Sequence, residues 1–166
     1  MSFHSALLLN LFVGSTLGVV SLPVNAPEMS HPAISSVNTA LIADNSQLTS
    51  VGGPLAQELQ GKPVVVDVYA TWCAGCKNIE GTLSQLKQDY AEKVNFVVLD
   101  VSDRGKVKSS TAMAEKLGLG EFLEATKSKT STVAIIDPAT GDILAMYKNN
   151  PNIEDYRQVL NANLPQ

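Results

Sequence analysis

The chain has 166 residues, 45% of them apolar, with a formal net charge of −4. That is enough chain and enough apolar content for one packed domain plus a leader, which excludes global disorder. Acids and bases are interspersed and there is no basic stripe, no phosphate-cradling G-x-x-x-x-G-K-[ST] loop and no G-x-G-x-x-G turn. These features exclude a dedicated nucleic-acid or nucleotide binder.

No Asp, Glu, Lys or Arg occurs from Met1 to Pro27, and Ala6 to Val20 is mostly apolar. This pattern suits the h-region of a secretory signal or a signal anchor, with Val24-Asn25-Ala26 as a small-residue cleavage site. We therefore expect residues 1–26 to be an export segment, cleaved or retained, rather than a buried helix of the domain. Residues 27–46 are rich in Pro, Ser, Asn, Thr and Ala and read as a flexible linker. The domain is expected over 47–166.

Pro54 to Gln60 reads as a short helix with Gly61 just past its end. Val64 to Tyr69 is β-branched and nearly all apolar, the pattern of a central strand buried on both faces. A helix is predicted from Ala74 to Glu92, since Ile79, Leu83, Leu86 and Tyr90 fall on one stripe. Val94 to Val101 is a second buried strand. Ser110 to Leu117 is a helix, and Glu121 to Lys129 is one further helical turn or a surface insert. Thr132 to Ile136 is a third strand, and Asp137 to Asp142 a hairpin turn. Ile143 to Tyr147 is the returning strand. Asn152 caps a last helix, with Asp155 completing a capping box and Ile153, Tyr156, Val159 and Leu160 facing inward. The order predicts an α/β domain, a mixed sheet with helices on both faces.

Only two cysteines occur, Cys73 and Cys76. A bridge between them closes almost no loop and adds little fold stability, so the pair reads as chemistry or metal binding. Cys73 falls where a buried strand hands over to a long helix. The free amides and dipole there favour a thiolate, the attacking species of disulfide exchange. Cys76, one turn on, can resolve a mixed disulfide. Cys73 is expected to be the more exposed and more acidic thiol. Trp72 beside it can shield the sulfurs and offer a flat apolar surface to a partner. Asp67 interrupts the apolar strand and points inward. A buried carboxylate there is costly unless bonded or protonated, and it suits a proton acceptor for Cys76.

The run Val-Asp67-Val-Tyr-Ala-Thr-Trp72-Cys73-Ala-Gly-Cys76-Lys77 resembles the active-site segment of the thioredoxin superfamily. From Gly61 to Asp100 the chain most resembles its membrane-anchored or exported members in cyanobacteria and thylakoids. The resemblance, covering about residues 50 to 164, implies a thioredoxin-like fold and a thiol–disulfide oxidoreductase. It implies Cys73 as nucleophile, Cys76 as resolving thiol, a Cys73–Cys76 disulfide in the cycle, and Asp67 as proton relay. Trp72, Ala74, Gly75, Ser131 and Thr132 would contact the substrate, an oxidised protein. A membrane thiol carrier of the CcdA or DsbD type would supply electrons. No metal or other cofactor is implied. The location implied is extracytoplasmic, in periplasm or thylakoid lumen.

Two departures stand out. Ser131 occupies the place of the family's cis-proline, and a cis bond before a non-proline residue costs roughly 2.5–4 kcal/mol, so a trans bond is expected. The Ala74-Gly75 dipeptide differs from the usual Gly-Pro. Two other readings stay open: metal or iron–sulfur binding through the CxxC in a dimer, and a redox-inactive binding or assembly factor. Lys127 and Lys129 are expected to be solvated surface, Tyr69 to pack in the core, and Met113 to fill a gap in it.

Overall fold

The computed structural model describes residues 48–165. The expected export segment at 1–26 and linker at 27–46 lie outside the described residues. Within them the chain runs from a 3₁₀ turn at Gln57–Leu59 into strand β1 (Val64–Tyr69), helix α1 (Ala74–Asp89) and strand β2 (Asn95–Asp100). Helices α2 (Arg104–Leu117) and α3 (Gly120–Thr126) follow. Strands β3 (Thr132–Ile136) and β4 (Ile143–Lys148) and helix α4 (Ile153–Asn163) complete the domain.

The sheet order is β2-β1-β3-β4, with β1 parallel to β2 and antiparallel to β3, and β3 antiparallel to β4. β1 is therefore central, as its apolar run requires. Its alternate residues serve two cores. Val64, Val66 and Val68 pack with Ala114, Leu117, Phe122 and Leu123 of α2 and α3. Val65 packs on the other face with Ile79, Leu83 and Leu86 of α1 and Tyr156 and Leu160 of α4. Each fully buried aliphatic side chain of this kind stabilises the fold by about 1.5–3 kcal/mol. The expected mixed sheet with helices on both faces is thus present.

Several boundaries differ from expectation, each for a local reason. The first helix shrinks to a 3₁₀ turn, and α1 ends at Asp89 with Tyr90 as its C-cap. Helix α2 begins at Arg104, well before Ser110, because Asp103 is an N-cap whose carboxylate accepts the Lys106 amide. Of the two readings of 121–129 the helical one holds, not the surface insert: α3 buries Phe122, Leu123 and Thr126, and the Thr126 hydroxyl donates to the Phe122 carbonyl. Met113, expected in the core, is 37% exposed. Asn152 does cap α4, accepting the Glu154 amide. Asp155 instead accepts the side-chain amides of Asn150 and Asn152, so no reciprocal capping box closes. At the hairpin, Gly141 is obligatory: its φ is +80° and a Cβ would lie 2.0 Å from the Gly53 carbonyl oxygen.

Removing the α2 cap tests the longer helix. Asp103→Ala is expected to lower stability by about 1 kcal/mol and to cost helical signal by circular dichroism. A variant as stable as the parent would mean that residues 104–109 contribute no helix.

Candidate functional site

The site is built where β1 gives way to α1. β1 ends at Tyr69, and the Cys73 amide donates to the Ala70 carbonyl at 3.1 Å, closing the turn that starts the helix. Cys73 is itself the N-cap of α1: its sulfur accepts the Cys76 amide at 3.1 Å. A cap position normally held by a side-chain oxygen is here held by the thiol, and helix-start amides and dipole favour its anionic form. Cys76 sits one turn in, its sulfur 3.9 Å from the Val68 carbonyl oxygen.

Both thiols are free and largely covered, Cys73 keeping 7% of its surface and Cys76 3%. Their titrations are pushed in opposite directions. Burial is the largest single influence on Cys73 and opposes ionisation. The Cys76 amide bonded to the sulfur, together with the nearby Cys76 thiol and the Thr130 and Ser131 hydroxyls as potential donors, outweighs it, and the net shift is downward. Burial again leads for Cys76, now reinforced by its bond to Cys73 and by that neighbour's charge, and its thiol rises to about 11. An alkylating agent at mildly acidic pH is therefore expected to modify Cys73 first, read by peptide mass mapping. Prior modification of Cys76 would reverse the asymmetry.

Asp67 lies on the face of β1 toward α1, 8% exposed, and its Oδ1 has no hydrogen-bond partner. Desolvation raises its carboxyl from 3.8 to about 6, partly opposed by the positive charge of Lys87. Asp67 and Cys76 line one open cleft of about 260 Å³ together with Tyr69, Glu80, Lys87 and Val98. Tyr69, expected in the core, packs against it while half-buried, and it also lines this cleft.

Trp72 is 65% exposed, with its indole N–H donating to the Ser102 carbonyl at 2.9 Å. Ser102 in turn donates its amide and hydroxyl to Asp100 and accepts the Thr71 amide, so the β2–α2 loop holds the Trp72 turn in place. Ala74 is exposed and Gly75 half-buried beside it.

The loop before β3 faces the cysteines. No peptide bond among the described residues is cis, and Ser131 adopts φ +60° instead. Its amide donates to the Val68 carbonyl at 2.9 Å. Thr132 is 4% exposed, with its hydroxyl donated to the Lys129 carbonyl, so its side chain is turned inward. Lys127 pairs with Glu124 at 2.6 Å on the surface, and Lys129 is exposed. Asn149, to which the sequence carries no pointer, also lies here with φ +50°.

Among the described residues, no group of three or more His, Cys, Asp and Glu side chains is arranged to hold a metal ion. No described helix is long and apolar enough to cross a membrane.

The family model described as Thioredoxin matches residues 51–115, from just before the 3₁₀ turn through most of α2. The thioredoxin-like protein HCF164, chloroplastic, of Arabidopsis thaliana is 40% identical over 57 residues, which are 34% of this chain and 22% of that protein. The thiol:disulfide interchange protein TxlA homolog of Synechocystis sp. is 41% identical over 51 residues, 30% of this chain and 28% of that protein. The chain thus spans 22% to 28% of the length of these relatives. The solved thioredoxin of Fasciola hepatica aligns with a TM-score of 0.44 at 21% identity, covering 63% of this chain and 84% of that one. The Thioredoxin family match thus covers the strand, the CxxC turn and the helix described above, and over residues 51–115 the chain is similar to that family, in a domain with a mixed α/β fold.

Proposed function

We propose that this protein is a thiol–disulfide oxidoreductase acting on protein disulfides through Cys73 and Cys76. The observation that carries the reading is the asymmetry of the pair: Cys73 caps α1 with its titration lowered, while Cys76 is raised to about 11. One sulfur is ready to attack and the other keeps its proton until needed.

In this reading the Cys73 thiolate attacks one sulfur of a substrate disulfide. The substrate's other sulfur leaves as a thiolate and takes a proton from solvent. Cys76 then gives its proton to Asp67 and attacks the Cys73 sulfur, expelling the second substrate thiolate. Two electrons pass to the substrate, and the protein ends with a Cys73–Cys76 disulfide. A dithiol donor, for which a membrane carrier of the CcdA or DsbD type fits, returns it to the dithiol.

Trp72, Ala74 and Gly75 rim the cysteines and would meet the substrate, with the exposed Trp72 ring as the apolar contact; Ser131, 4% exposed, would meet it only through its backbone. Thr132, turned inward, would act only through the backbone it shapes. An extracytoplasmic site of action fits the charge-free N-terminal segment of the sequence and the relatives named as thiol:disulfide interchange and chloroplastic proteins. The substrate class would be exported proteins.

The test is reduction of insulin disulfides with dithiothreitol as donor, together with the reduction potential of the pair. Acceleration and a potential near that of thioredoxin, about −270 mV, are expected for a reductase. A potential near about −120 mV would mark an oxidant. No acceleration at all would leave a redox-inactive binder.

A further inference from the structure

Two residues other than glycine take left-handed backbone conformations among the described residues, Ser131 and Asn149, and they touch each other. The Asn149 amide donates to the Ser131 carbonyl at 2.9 Å. Such conformations are uncommon and costly outside glycine, and they collect where a site needs them. Here both press on the CxxC turn. A Cβ at Gly75 would lie 2.7 Å from Ser131 Oγ, 3.0 Å from Ser131 Cβ and 3.3 Å from Asn149 Cγ. Asn149 is also tied to α1 itself, its Oδ1 accepting from Asn78 Nδ2 at 3.0 Å. A closed circuit results, from the start of α1 through Asn149 to Ser131 and back against Gly75.

We propose that Asn149 is a positioning residue for the Cys73 thiolate, acting by clamping the Thr130–Ser131 loop onto the CxxC turn through its bridge to Asn78. The proposal deepens the oxidoreductase reading and rests on it for its purpose. The Ser131 hydroxyl donates to the Thr130 carbonyl at 2.5 Å and also stands among the hydrogen-bonding neighbours of Cys73, as does Thr130. A hydroxyl has one proton and turns freely. When Cys73 ionises, its sulfur becomes the stronger acceptor, and a short rotation delivers that proton to it. This works only if the loop is held close. A proline in place of Ser131 would supply no such donor, so the serine makes this loop a polar partner of the thiolate.

The test compares Asn149→Gly, which tolerates the left-handed backbone but removes the bridge, with Asn78→Ala, which removes it from the helix side. The readouts are the pH dependence of Cys73 alkylation and the melting temperature. Each variant is expected to lower the alkylation rate at a pH below the thiol pKa by roughly three- to tenfold, about half to one pKa unit. The double variant is expected to show no further shift, since both changes break one contact. Ser131→Ala is expected to match or exceed the shift. A lowered melting temperature with an unmoved Cys73 titration would make the bridge merely structural and overturn the proposal, as would shifts that add in the double variant. Alkylation reads the thiol directly, so wild-type failure in insulin reduction would sink the oxidoreductase reading alone.

Discussion

Cys73→Ser is expected to reduce dithiothreitol-driven insulin reduction to the rate of dithiothreitol alone, a loss of at least about a hundredfold. A serine hydroxyl at the same helix cap still accepts the Cys76 amide, so the fold is expected to survive. It does not ionise at working pH and forms no bond to a substrate sulfur. Cys76→Ser fails differently. Cys73 still attacks, since the α1 amides and the Thr130 and Ser131 hydroxyls remain around it. The mixed disulfide then has no resolving partner, and a covalent adduct on Cys73 accumulates, visible by intact mass and lost on reduction. The two variants separate attack from resolution. Wild-type turnover by Cys73→Ser, or an adduct on Cys76 in the wild-type protein, would remove the assigned roles.

Much of this site is legible in the sequence because it depends on local pattern. Val64 to Tyr69 can only be a strand buried on both faces, and its two alternating sets do serve two cores. Cys73 at the strand's exit becomes the cap of α1, which fixes the geometry of Cys76 with no long-range information. Asp67 reads as inward-facing from its apolar neighbours, and it lines one cleft with Cys76. The remainder depends on contacts between distant segments. Asp103 is a readable cap, yet between Arg104 and Ser109 only Val107 is a sizeable apolar residue, so no stripe marks the first turns of α2. Phe122 and Leu123 are adjacent, a spacing that marks neither helix nor strand, so α3 emerges only from the core it closes. The left-handed pair Ser131 and Asn149 is the least legible of all. No glycine marks either position, and the conformation is imposed by β3, β4 and Gly75 meeting at the cysteines.

Asp67→Asn is expected to make the folded protein more stable and its chemistry slower, with both effects set by pH. The carboxyl titrates near 6 in the fold against an ordinary value of 3.8. Its folded pKa is raised, so between about pH 4 and 6 the native state binds more protons than the unfolded chain. Stability then falls as pH rises through that window. The span of about two pKa units corresponds to about 3 kcal/mol. The asparagine side chain carries no charge, so the variant is expected to gain up to that amount over the parent at pH 8 and almost nothing below pH 4. Denaturant melts at the two pH values read this directly. Kinetically the sign is opposite. In the mixed disulfide the Cys73 charge is gone, but burial, the largest influence on Cys76, remains and keeps its thiol protonated at pH 7. Asp67, ionised above 6 and unpartnered at Oδ1 in the shared cleft, is the base at hand. Its loss is expected to slow resolution of the mixed disulfide by roughly 10²-fold at pH 7, with the deficit shrinking at alkaline pH as Cys76 ionises unaided. The inflection near pH 6 in the parent's rate should vanish with it. A rate deficit constant across that range would assign Asp67 to structure alone, since a lost proton acceptor cannot matter where no proton remains to be moved.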